Sequence, residues 1–597
     1  MKYAECLVSW LKQEGYGTCY FVAGGNIMHL LDGVRNQLQC IPVVHEVAAA
    51  IAVEYHNEAV SSQANAQRAF ALVTAGPGLT NALTGLAGAF LESRELLLLG
   101  GQVKRVDLAP SSLRQLGIQE VDGVAMAAPV SKVSECLLEP WSQERFLATV
   151  RIGTEGRPGP VFLELPLDVQ AAQVPDGWGD GLGPMAGLAS ASTPGGCIDP
   201  ALLADISARI RQAERPLLLL GGGLSRQVCQ DLQPWLQGLE LPLMTTWNGA
   251  DRLDAAAGNY FGRPNTWGMR YSNLILQQSD LLVAVGSRLG LQQTGFNWQA
   301  FVSEGQVIQV DIDPEELAKP NPRVDVPVCT DANGFLRQLS TNDLGSHRAW
   351  LAFCRRVKGS LPLSEAANIT APGYLNPYDF ALQLAELSGA GDVVVPCSSG
   401  GAFTVMMQTF AQKYGQTLIT DKGLASMGYG LSGAIGAAVA RPDKRVTLVE
   451  GDGGFTQNLQ ELATVSANHL NLKIFIFANN GYASIRMTQK NYFGGSYLGC
   501  DVESGLGFPD WSLMFAAYGI PYQRLSVDWS NDPSFLDRWN SKLPSAFEVP
   551  LDPEQSFFPK ISSRVRHDGG MESNPLHLMS PEIDPELAKE LMPYFGK

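Results

Sequence analysis

Two polar clusters follow two short apolar runs near the carboxyl end of the chain. Residues 446–449 lead to Gly-Asp-Gly-Gly at 451–454, and residues 474–477 lead to Asn-Asn-Gly at 479–481. Because a helical pattern separates the two runs, they predict a strand–helix–strand crossover with its helix over 456–468. The carboxyl ends of parallel strands open onto one edge of a sheet, where ligands bind. Asp452 and Asn479 would therefore offer their oxygen atoms side by side.

Oxygen ligands beside a phosphate site are typical of Mg²⁺, which takes one or two protein oxygens, phosphate oxygens and waters. Gly453 and Gly454 would expose backbone N–H groups at the start of the predicted helix, and such groups attract phosphate. The pattern therefore indicates a metal–diphosphate site. The alternative is that both clusters are ordinary tight turns, but their pairing across one crossover favours the site.

This pair of clusters resembles the cofactor signature of the thiamine diphosphate enzymes. The resemblance implies that Asp452, the Asn479 side chain and the Gly481 carbonyl bind the metal. In the usual signature, one variable residue separates the asparagine pair from the glycine. Here Asn480 stands directly before Gly481, so alignment on the Gly-Tyr that follows places Asn479, and not Asn480, at the ligand position.

A second motif lies near the amino end, in CIPVVHEVAAAIAVEYH at 40–56. Glu46 stands between an apolar run and an alanine-rich helical pattern, as in the H-E-x-x-A pattern of the same family. In that family the glutamate hydrogen-bonds the aminopyrimidine ring of the coenzyme, which leads to proton removal from the thiazolium ring. The resemblance implies this catalytic role for Glu46. Taken alone, the residue is an ordinary acidic side chain in a first helical turn.

Further motifs occur in the order of the family: FVAGGN, TAGPGLTN, PCSSGGAF and GLASMGYGL. The resemblance assigns their residues to the thiamine coenzyme, with Met427 as an apolar wedge beneath it. A methionine is more often core filler, but the surrounding glycines favour the wedge. The assigned coenzyme contacts are Gly24, Gly25, Pro77, Asn81, Ser398, Ser399, Gly400, Met427, Gly453 and Gly454.

Within the family, the closest resemblance is to acetolactate synthase. Residues 117–132 are similar to its F-Q-E-x-D…T-K segment, which implies that Gln119 orients the donor or the acceptor. Residues 261–290 resemble its FAD-binding stretch, and strand-end glycines could approach a dinucleotide. A vestigial or ADP-type central domain is the alternative. The assigned FAD contacts are Gly222, Gly262, Gly268, Arg288, Asp311 and Asp331.

The chain departs from acetolactate synthase in the region that shapes the pocket for the acceptor substrate. Acetolactate synthases carry a tryptophan after the Asn-Asn region, whereas this chain has Met487, Thr488 and Gln489 there. The segments GYASIRMTQKNYF and SGLGFPDW instead resemble acetolactate-synthase-like enzymes of bacterial polysaccharide and deoxysugar pathways. Some of those enzymes transfer an acetyl equivalent from pyruvate to a keto sugar nucleotide. The acceptor therefore stays open between a 2-oxo acid and a keto sugar nucleotide.

The elements that must position these residues predict an α/β fold. Short apolar runs alternate with helical patterns and are too numerous for one sheet. The resemblance implies three doubly wound parallel-sheet domains: a pyrimidine-binding domain (1–175), a central FAD- or nucleotide-type domain (197–345) and a diphosphate-binding domain (370–550), followed by a tail (551–597). The predicted strands lie in 19–25, 68–78, 95–103, 160–166, 215–224, 280–290, 307–313, 392–401, 446–454 and 473–481.

Composition excludes several classes of protein. The 597 residues carry a net charge of −16, which disfavours nucleic acid binding. The 10 cysteines include no C-x-x-C pair, so they predict a reducing compartment and neither a disulfide framework nor a zinc site. The amino end has no apolar signal region, and no run reaches the length of a membrane span. We expect a cytoplasmic protein without nucleic acid or membrane partners.

Together these features predict a transferase that depends on thiamine diphosphate and Mg²⁺ and carries a structural FAD. It would decarboxylate a 2-oxo acid donor, pyruvate, and join the two-carbon unit to a carbonyl acceptor. Two alternatives are a simple 2-oxo acid decarboxylase, which the FAD-like features disfavour, and a non-catalytic nucleotide-binding partner. In the family, residues like Glu46 and Asp452 meet across a subunit boundary, so the resemblance implies a homodimer or homotetramer.

Overall fold

Three parallel β-sheets follow one another along the chain in the computed structural model. The structure describes residues 1–63, 66–110, 112–175, 178, 198–566 and 569–595, so most of the glycine-rich segment 174–196 lies outside the described residues. The strands of the three sheets are β1 (Tyr16–Phe21), β2 (Gln39–Pro42), β3 (Arg68–Val73), β4 (Leu96–Gln102), β5 (Val133–Cys136), β6 (Pro160–Pro166), β7 (Pro216–Leu220), β8 (Leu243–Thr245), β9 (Leu281–Val285), β10 (Gln306–Asp311), β11 (Val326–Cys329), β12 (Val393–Val395), β13 (Thr417–Leu418), β14 (Val446–Gly451), β15 (Leu472–Ala478), β16 (Tyr522–Arg524) and β17 (Ser545–Pro550).

The strand orders confirm three doubly wound α/β units. The first sheet runs β2-β1-β3-β4-β6-β5, the second β11-β10-β9-β7-β8 and the third β13-β12-β14-β15-β17-β16. Each sheet lies within one of the predicted ranges 1–175, 197–345 and 370–550. The interior strands are buried on both faces, which explains their near-continuous apolar sequences.

Helices cover both faces of the sheets. Within the described residues, no helix is both long and apolar enough to cross a membrane. The α-helices are Tyr3–Gln13, Met28–Val34, Glu46–Val60, Pro77–Glu92, Gly123–Ala127, Gln143–Ile152, Leu167–Gln170, Pro200–Gln212, Arg226–Asp231, Gln233–Gly238, Arg270–Gln277, Leu291–Thr294, Pro314–Ala318, Ala332–Leu339, Arg348–Ser360, Pro377–Leu387, Gly400–Thr409, Tyr429–Ala440, Asp452–Phe455, Leu462–Ala467, Ala483–Tyr492, Trp511–Ala517, Pro533–Asn540 and Pro585–Leu591.

The first and third domains pack together within one chain. Helix Glu46–Val60 is buried along nearly its whole length because helix Tyr429–Ala440 lies across it. Glycines permit the close approach, since a Cβ on Gly436 would lie 2.1 Å from the Ala52 carbonyl oxygen. This packing brings the amino end of helix Glu46–Val60 to the carboxyl edge of the third sheet.

The single helix predicted over 456–468 is wrong. The crossover contains helix Asp452–Phe455, a 3₁₀ turn at Leu459–Glu461 and helix Leu462–Ala467. The break falls at Asn458, whose backbone leaves the helical region and whose side-chain amide donates to the Gly428 carbonyl oxygen at 2.7 Å. The Asn458 side chain hydrogen-bonds a backbone group outside the helix, which offers an alternative to the helical conformation. The sequence pattern alone does not reveal that group.

The chain after residue 550 returns to the second domain. It forms two short antiparallel pairs, one from β18 (Lys560–Ile561) and β21 (Met579–Ser580), the other from β19 (Ser563–Val565) and β20 (Met571–Ser573). The Ile561 N–H donates to the Thr266 carbonyl oxygen at 2.9 Å. The Gln278 amide donates to the Leu591 carbonyl oxygen, also at 2.9 Å. The last segment therefore joins the second domain to the third.

Candidate active site

Asp452 ties together the loops that follow β14 and β15. These strands pair in parallel, with Gly451 opposite Phe477. One Asp452 carboxylate oxygen accepts the N–H groups of Asn479 and Asn480 at 2.9 and 2.7 Å. Burial raises the pKa of Asp452 to about 7, against the opposing effect of these backbone donors. Within the described part of the chain no cationic side chain hydrogen-bonds this buried carboxylate, so a divalent cation would fit as its counter-ion.

The Asn479 side chain supplies a second oxygen at the same place. Its Oδ1 is buried and has no hydrogen-bond partner among the residues that the structure describes, while its backbone oxygen accepts from Arg486 at 3.0 Å. The neighbouring Asn480 side chain is exposed. Gly481 lies beside Asp501, and a Cβ there would be 2.3 Å from the Cys500 carbonyl oxygen.

These oxygens suit Mg²⁺ better than zinc. The described residues contain no group of three or more His, Cys, Asp or Glu that could hold a metal. A site built on Asp452, Asn479 and a backbone carbonyl leaves the remaining positions to phosphate and water oxygens, as Mg²⁺ requires. The orphaned Asn479 oxygen thus fits the predicted metal.

The predicted diphosphate contacts Ser398, Ser399 and Gly400 follow β12, which pairs in parallel with β14, the strand that leads to Asp452. Gly400, with φ +76°, begins helix Gly400–Thr409, and no atom lies within 4 Å of where its Cβ would be. Ser399 precedes it as a helix cap without a side-chain capping bond. Ser398 instead donates to the Ser426 carbonyl oxygen, which fixes the loop that carries Met427.

The other two predicted glycine contacts of the third domain, Gly453 and Gly454, are packed against their own chain. Gly453 lies against the Tyr482 ring, and its N–H donates to the Asp452 carboxylate at 2.7 Å. Gly454 lies next to the Glu450 carboxylate, whose pKa burial raises to about 8. One Glu450 oxygen is buried, and none of the described residues hydrogen-bonds it.

Met427 faces the first domain across a small cavity. The cavity has a volume of about 330 Å³ and is lined by His45, Asn81, Met427 and Asn458, among others. The Met427 side chain is 39% exposed, so it is not core filler in this chain. This exposure is compatible with the predicted wedge.

Glu46 is the first residue of its helix and is only 9% exposed. The Asn81 amide donates to Glu46 Oε2 at 3.0 Å, so the structure brings two predicted coenzyme contacts together. Pro77 begins the helix that carries Asn81. The N–H groups of Val44 and His45 donate to the Glu461 carboxylate of the third domain, with His45 at 2.9 Å.

Gln119 lies on an exposed loop that reaches this region. Its φ is +66°, and its carbonyl oxygen would be 2.3 Å from a Cβ on Gly76, so only glycine fits there. The loop is closed by Glu120, which accepts the N–H groups of Leu116 and Gly117 at 2.8 and 2.9 Å. Burial alone would raise the pKa of Glu120, but its backbone donors hold the pKa below its ordinary value.

Gly24 and Gly25, in the loop that follows β1, have different surroundings. A Cβ on Gly24 would lie 2.4 Å from the Thr74 side chain, whereas nothing lies within 4 Å of the Cβ position of Gly25. Gly25 begins the 3₁₀ turn Gly25–Ile27. Of the two, only Gly25 leaves room for a ligand.

A larger cavity of about 670 Å³ lies at the carboxyl edge of the second sheet. Loops after β7 and β9 border it, and these neighbouring strands connect to opposite sides of the sheet. Such a switch point is where open α/β sheets bind nucleotides. Gly221 and Gly286 let the two loops approach, since a Cβ on Gly221 would be 2.1 Å from the Gly286 carbonyl oxygen.

Four of the predicted FAD residues line this cavity: Gly222, Arg288, Asp311 and Asp331. Gly262 and Gly268 are not among its lining residues. Gly262 lies against the Met269 sulfur, and Gly268 belongs to a tight turn with Asn265. The cavity and its carboxylates and arginine fit a dinucleotide, with the carboxylates available to ribose hydroxyls.

Sequence reasoning missed Lys422, a third-domain residue on the wall of the larger cavity. Burial lowers its pKa to about 7, and Glu92 partly opposes this effect. Its ammonium lies 4.0 Å from the Trp247 ring centre. The carboxylate of Glu92 accepts the backbone N–H of Lys422 at 2.7 Å. No spacing rule connects these residues, because each comes from a different domain.

Comparison with known proteins matches three family models in the order of the three sheets. Residues 1–126 match the N-terminal TPP binding domain of thiamine pyrophosphate enzymes. Residues 203–339 match the central domain of these enzymes, and residues 398–535 match their C-terminal TPP binding domain. Together the three matches cover more than half of the chain.

Curated relatives match over nearly the whole length. The "Probable acetolactate synthase large subunit" of Methanocaldococcus jannaschii is 28% identical over 573 residues, 93% of each chain. The acetolactate synthase isozyme 2 large subunit of Escherichia coli is 29% identical, over 94% of this chain and 97% of the relative. The acetolactate synthase large subunit of Lactococcus lactis is 27% identical over 95% of each chain.

Proposed function

The chain belongs to the thiamine pyrophosphate enzyme family, and we propose that it decarboxylates pyruvate and transfers the two-carbon unit to a second carbonyl compound. Its relatives match over nearly the whole chain and are named acetolactate synthase large subunits. This likeness favours a carboligase of this family over a simple decarboxylase. One observation carries the proposal. The buried Asp452–Asn479 pair has an amide oxygen without a hydrogen-bond partner among the described residues, and such an oxygen suits a metal ligand.

Asp452, the Asn479 side chain and the Gly481 carbonyl would hold Mg²⁺, and the open side of Gly400 would face the diphosphate. When bound, the coenzyme supplies an electron sink for the bond that breaks as CO₂ leaves. The chain's own contribution would be to clamp the charged end at the third sheet and to present Met427 in the cavity that it shares with His45 and Asn81.

Glu46 would hold and exchange the proton that activates the coenzyme. Its burial and its bond to Asn81 support this role, because a carboxylate fixed in one orientation can bind a single ring atom. Gln119 would orient the donor or the acceptor. Its exposed side chain, on a loop pressed against Gly76, supports that position.

FAD would occupy the cavity of about 670 Å³ in the second domain, where Gly222, Arg288, Asp311 and Asp331 line the wall. Joining a two-carbon unit to a carbonyl involves no net oxidation or reduction, so the flavin would be structural. The position of the cavity at the switch point between β7 and β9 supports a dinucleotide.

We expect the chain to form a homodimer through the loop next to Gln119. The loop next to Gln119 exposes several large apolar side chains, which a second copy of the chain would cover. Val106 is 81% exposed and Ile118 is 85% exposed, with Leu113 and Leu116 more than half exposed. The mass of the purified protein in solution, with and without Ile118→Lys, tests this assembly.

The function is tested by a visible spectrum and by product analysis. Purified protein with Mg²⁺ and thiamine diphosphate is given pyruvate alone, and then pyruvate with a larger carbonyl compound. We expect yellow protein that forms a carbon–carbon product from at least one mixture. Release of acetaldehyde as the sole product would support the decarboxylase alternative, and no consumption of pyruvate would contradict the proposal.

A further inference from the structure

Lys560 is a partly buried cation without a carboxylate among its contacts in the described part of the chain. Its ammonium nitrogen lies 2.9 Å from the Met487 sulfur. The ring centres of Trp267 and Phe558 are each 5.5 Å away. Burial lowers the pKa of this lysine, and no charge among the described neighbours opposes the effect. Because a thioether is a weak acceptor and an ammonium has three donors, Lys560 retains hydrogen-bonding capacity.

Met487 places this ammonium next to the candidate active site. It lies on helix Ala483–Tyr492, which begins directly after the metal loop at 479–481. The helix is anchored at Arg486, which donates to the Asn479 backbone oxygen at 3.0 Å. Lys560 therefore faces a helix that is anchored to the backbone of Asn479, a predicted metal ligand.

The segment before Lys560 reaches the predicted diphosphate cradle. A Cβ on Gly401 would lie 2.8 Å from the Phe557 ring, at the first turn of helix Gly400–Thr409. The Gln408 amide of the same helix donates to the Pro559 carbonyl oxygen at 2.7 Å. Lys560 is thus held between this helix, helix Ala483–Tyr492 and the loop that carries Trp267.

A cation in this position is better suited to bind the carbonyl acceptor than the 2-oxo acid donor. The carboxylate of a 2-oxo acid donor leaves as CO₂ and loses its charge, so a cation bound to it would stabilise the ground state and slow the reaction. An anionic group on the acceptor keeps its charge throughout the reaction. A cation that binds it adds affinity and specificity without this penalty.

We propose that Lys560 binds an anionic group, carboxylate or phosphate, on the carbonyl acceptor, and that Met487 forms the apolar wall beside that group. The proposal rests on the carboligase function proposed above. Lys490 provides a matched control, because it lies on the same helix as Met487 but is exposed and paired with Glu554 at 2.5 Å.

The test compares Lys560→Met, Lys560→Arg and Lys490→Met in the holoenzyme. Pyruvate is the donor, and the acceptors are neutral propanal, 2-oxobutanoate as the carboxylate and glycolaldehyde phosphate as the phosphate. We expect Lys560→Met to raise the KM of one or both anionic acceptors by about tenfold or more, with the KM of propanal unchanged. Lys560→Arg should restore most of the affinity, and Lys490→Met should match the wild type. The more affected anion identifies the acceptor group.

Equal changes for neutral and anionic acceptors would overturn the proposal, as would a loss confined to coenzyme affinity. The donor half-reaction, followed with ferricyanide as electron acceptor, should be unchanged in Lys560→Met. A raised KM for pyruvate in that assay would assign the lysine to the donor instead. Failure of the wild-type half-reaction would refute the carboligase function itself.

A second measurement is independent of turnover. Reductive methylation of the holoenzyme, read by mass spectrometry, should modify Lys560 more slowly in the presence of inorganic phosphate or 2-oxobutanoate. Lys490 should show no such protection. Equal modification of Lys560 with and without both anions would contradict the anion site, whatever the outcome of the activity assays.

Discussion

Asn81 donates a hydrogen bond of 3.0 Å to the Glu46 carboxylate, and this bond fixes the orientation of the buried acid. Glu46→Gln keeps the size of the side chain but removes the charge. We expect kcat to fall by about 10²- to 10⁴-fold, because the amide cannot take up a proton. The affinity for thiamine diphosphate, measured by fluorescence titration, should change little. Glu144→Gln, an exposed change in the same domain, should leave both quantities unchanged. Full turnover of Glu46→Gln would refute the assignment.

The two neighbouring asparagines should differ in their effect on the metal. Asn479 Oδ1 is buried and unpartnered, whereas the Asn480 side chain is exposed. Asn479→Ala should raise the concentration of Mg²⁺ needed for half-maximal coenzyme binding by about tenfold or more. Asn480→Gly suits the local φ of +56° and should leave this concentration unchanged. The reverse order of effects would move the metal to Asn480.

The sequence revealed the interior of each sheet better than its edges. Each of the predicted runs overlaps a strand, but β2, β5, β8, β11, β13 and β16 went unassigned, and each is an edge strand. Edge strands are short and often half exposed, so they lack the apolar runs that mark interior strands. Buried β17 was also missed.

Motif spacing located Asp452, Asn479 and Glu46, because each lies at the junction of a strand and a helix. Spacing could not locate Lys422 or Lys560, which contact residues far away in the chain. Lys560 and Met487 are 73 positions apart. Their contact depends on how the last segment crosses the second domain, and no periodic pattern encodes that path.

A buried ion pair within the first domain, Arg94–Glu54, makes hydrogen bonds to the third domain. Arg94 donates to Glu54 at 2.7 Å and to the Thr420 carbonyl oxygen at 2.9 Å, and the Tyr429 hydroxyl donates to the other Glu54 oxygen. Arg94→Met leaves a buried carboxylate without its cation, so we expect a loss of about 3–5 kcal/mol in the free energy of unfolding. Denaturation followed by tryptophan fluorescence measures this loss.

The double variant Arg94→Met/Glu54→Leu serves as the control for that experiment. It removes both charges, so it should recover part of the lost stability. If the single and double variants are equally unstable, then packing and not the unpaired charge accounts for the effect.

Stability should decrease in acid partly because of His56. Its ring nitrogens lie 3.0 Å from the Tyr20 hydroxyl and from the Gln67 carbonyl oxygen. Burial lowers the pKa of His56 to about 4, whereas an unfolded histidine titrates near about 6.5. Between these values the unfolded chain binds a proton and the folded chain does not. The folded state therefore loses stability as the pH falls, by at most about 3 kcal/mol from this residue.

His56→Gln removes this titration and keeps a polar side chain. The melting temperature of the variant should fall less than that of the wild type between pH 7 and pH 4. Parallel decreases in the two proteins would show that His56 does not contribute to acid sensitivity.

The central claim is that one coenzyme is anchored at Asp452 and Asn479 and activated by Glu46. The most direct test is the rate of hydrogen–deuterium exchange at the thiazolium carbon of the bound coenzyme, measured by acid quench and proton NMR. The account predicts that Glu46→Gln slows this exchange at least about a hundredfold in protein that still binds Mg²⁺ and coenzyme. Exchange in the loaded variant at the wild-type rate would contradict it.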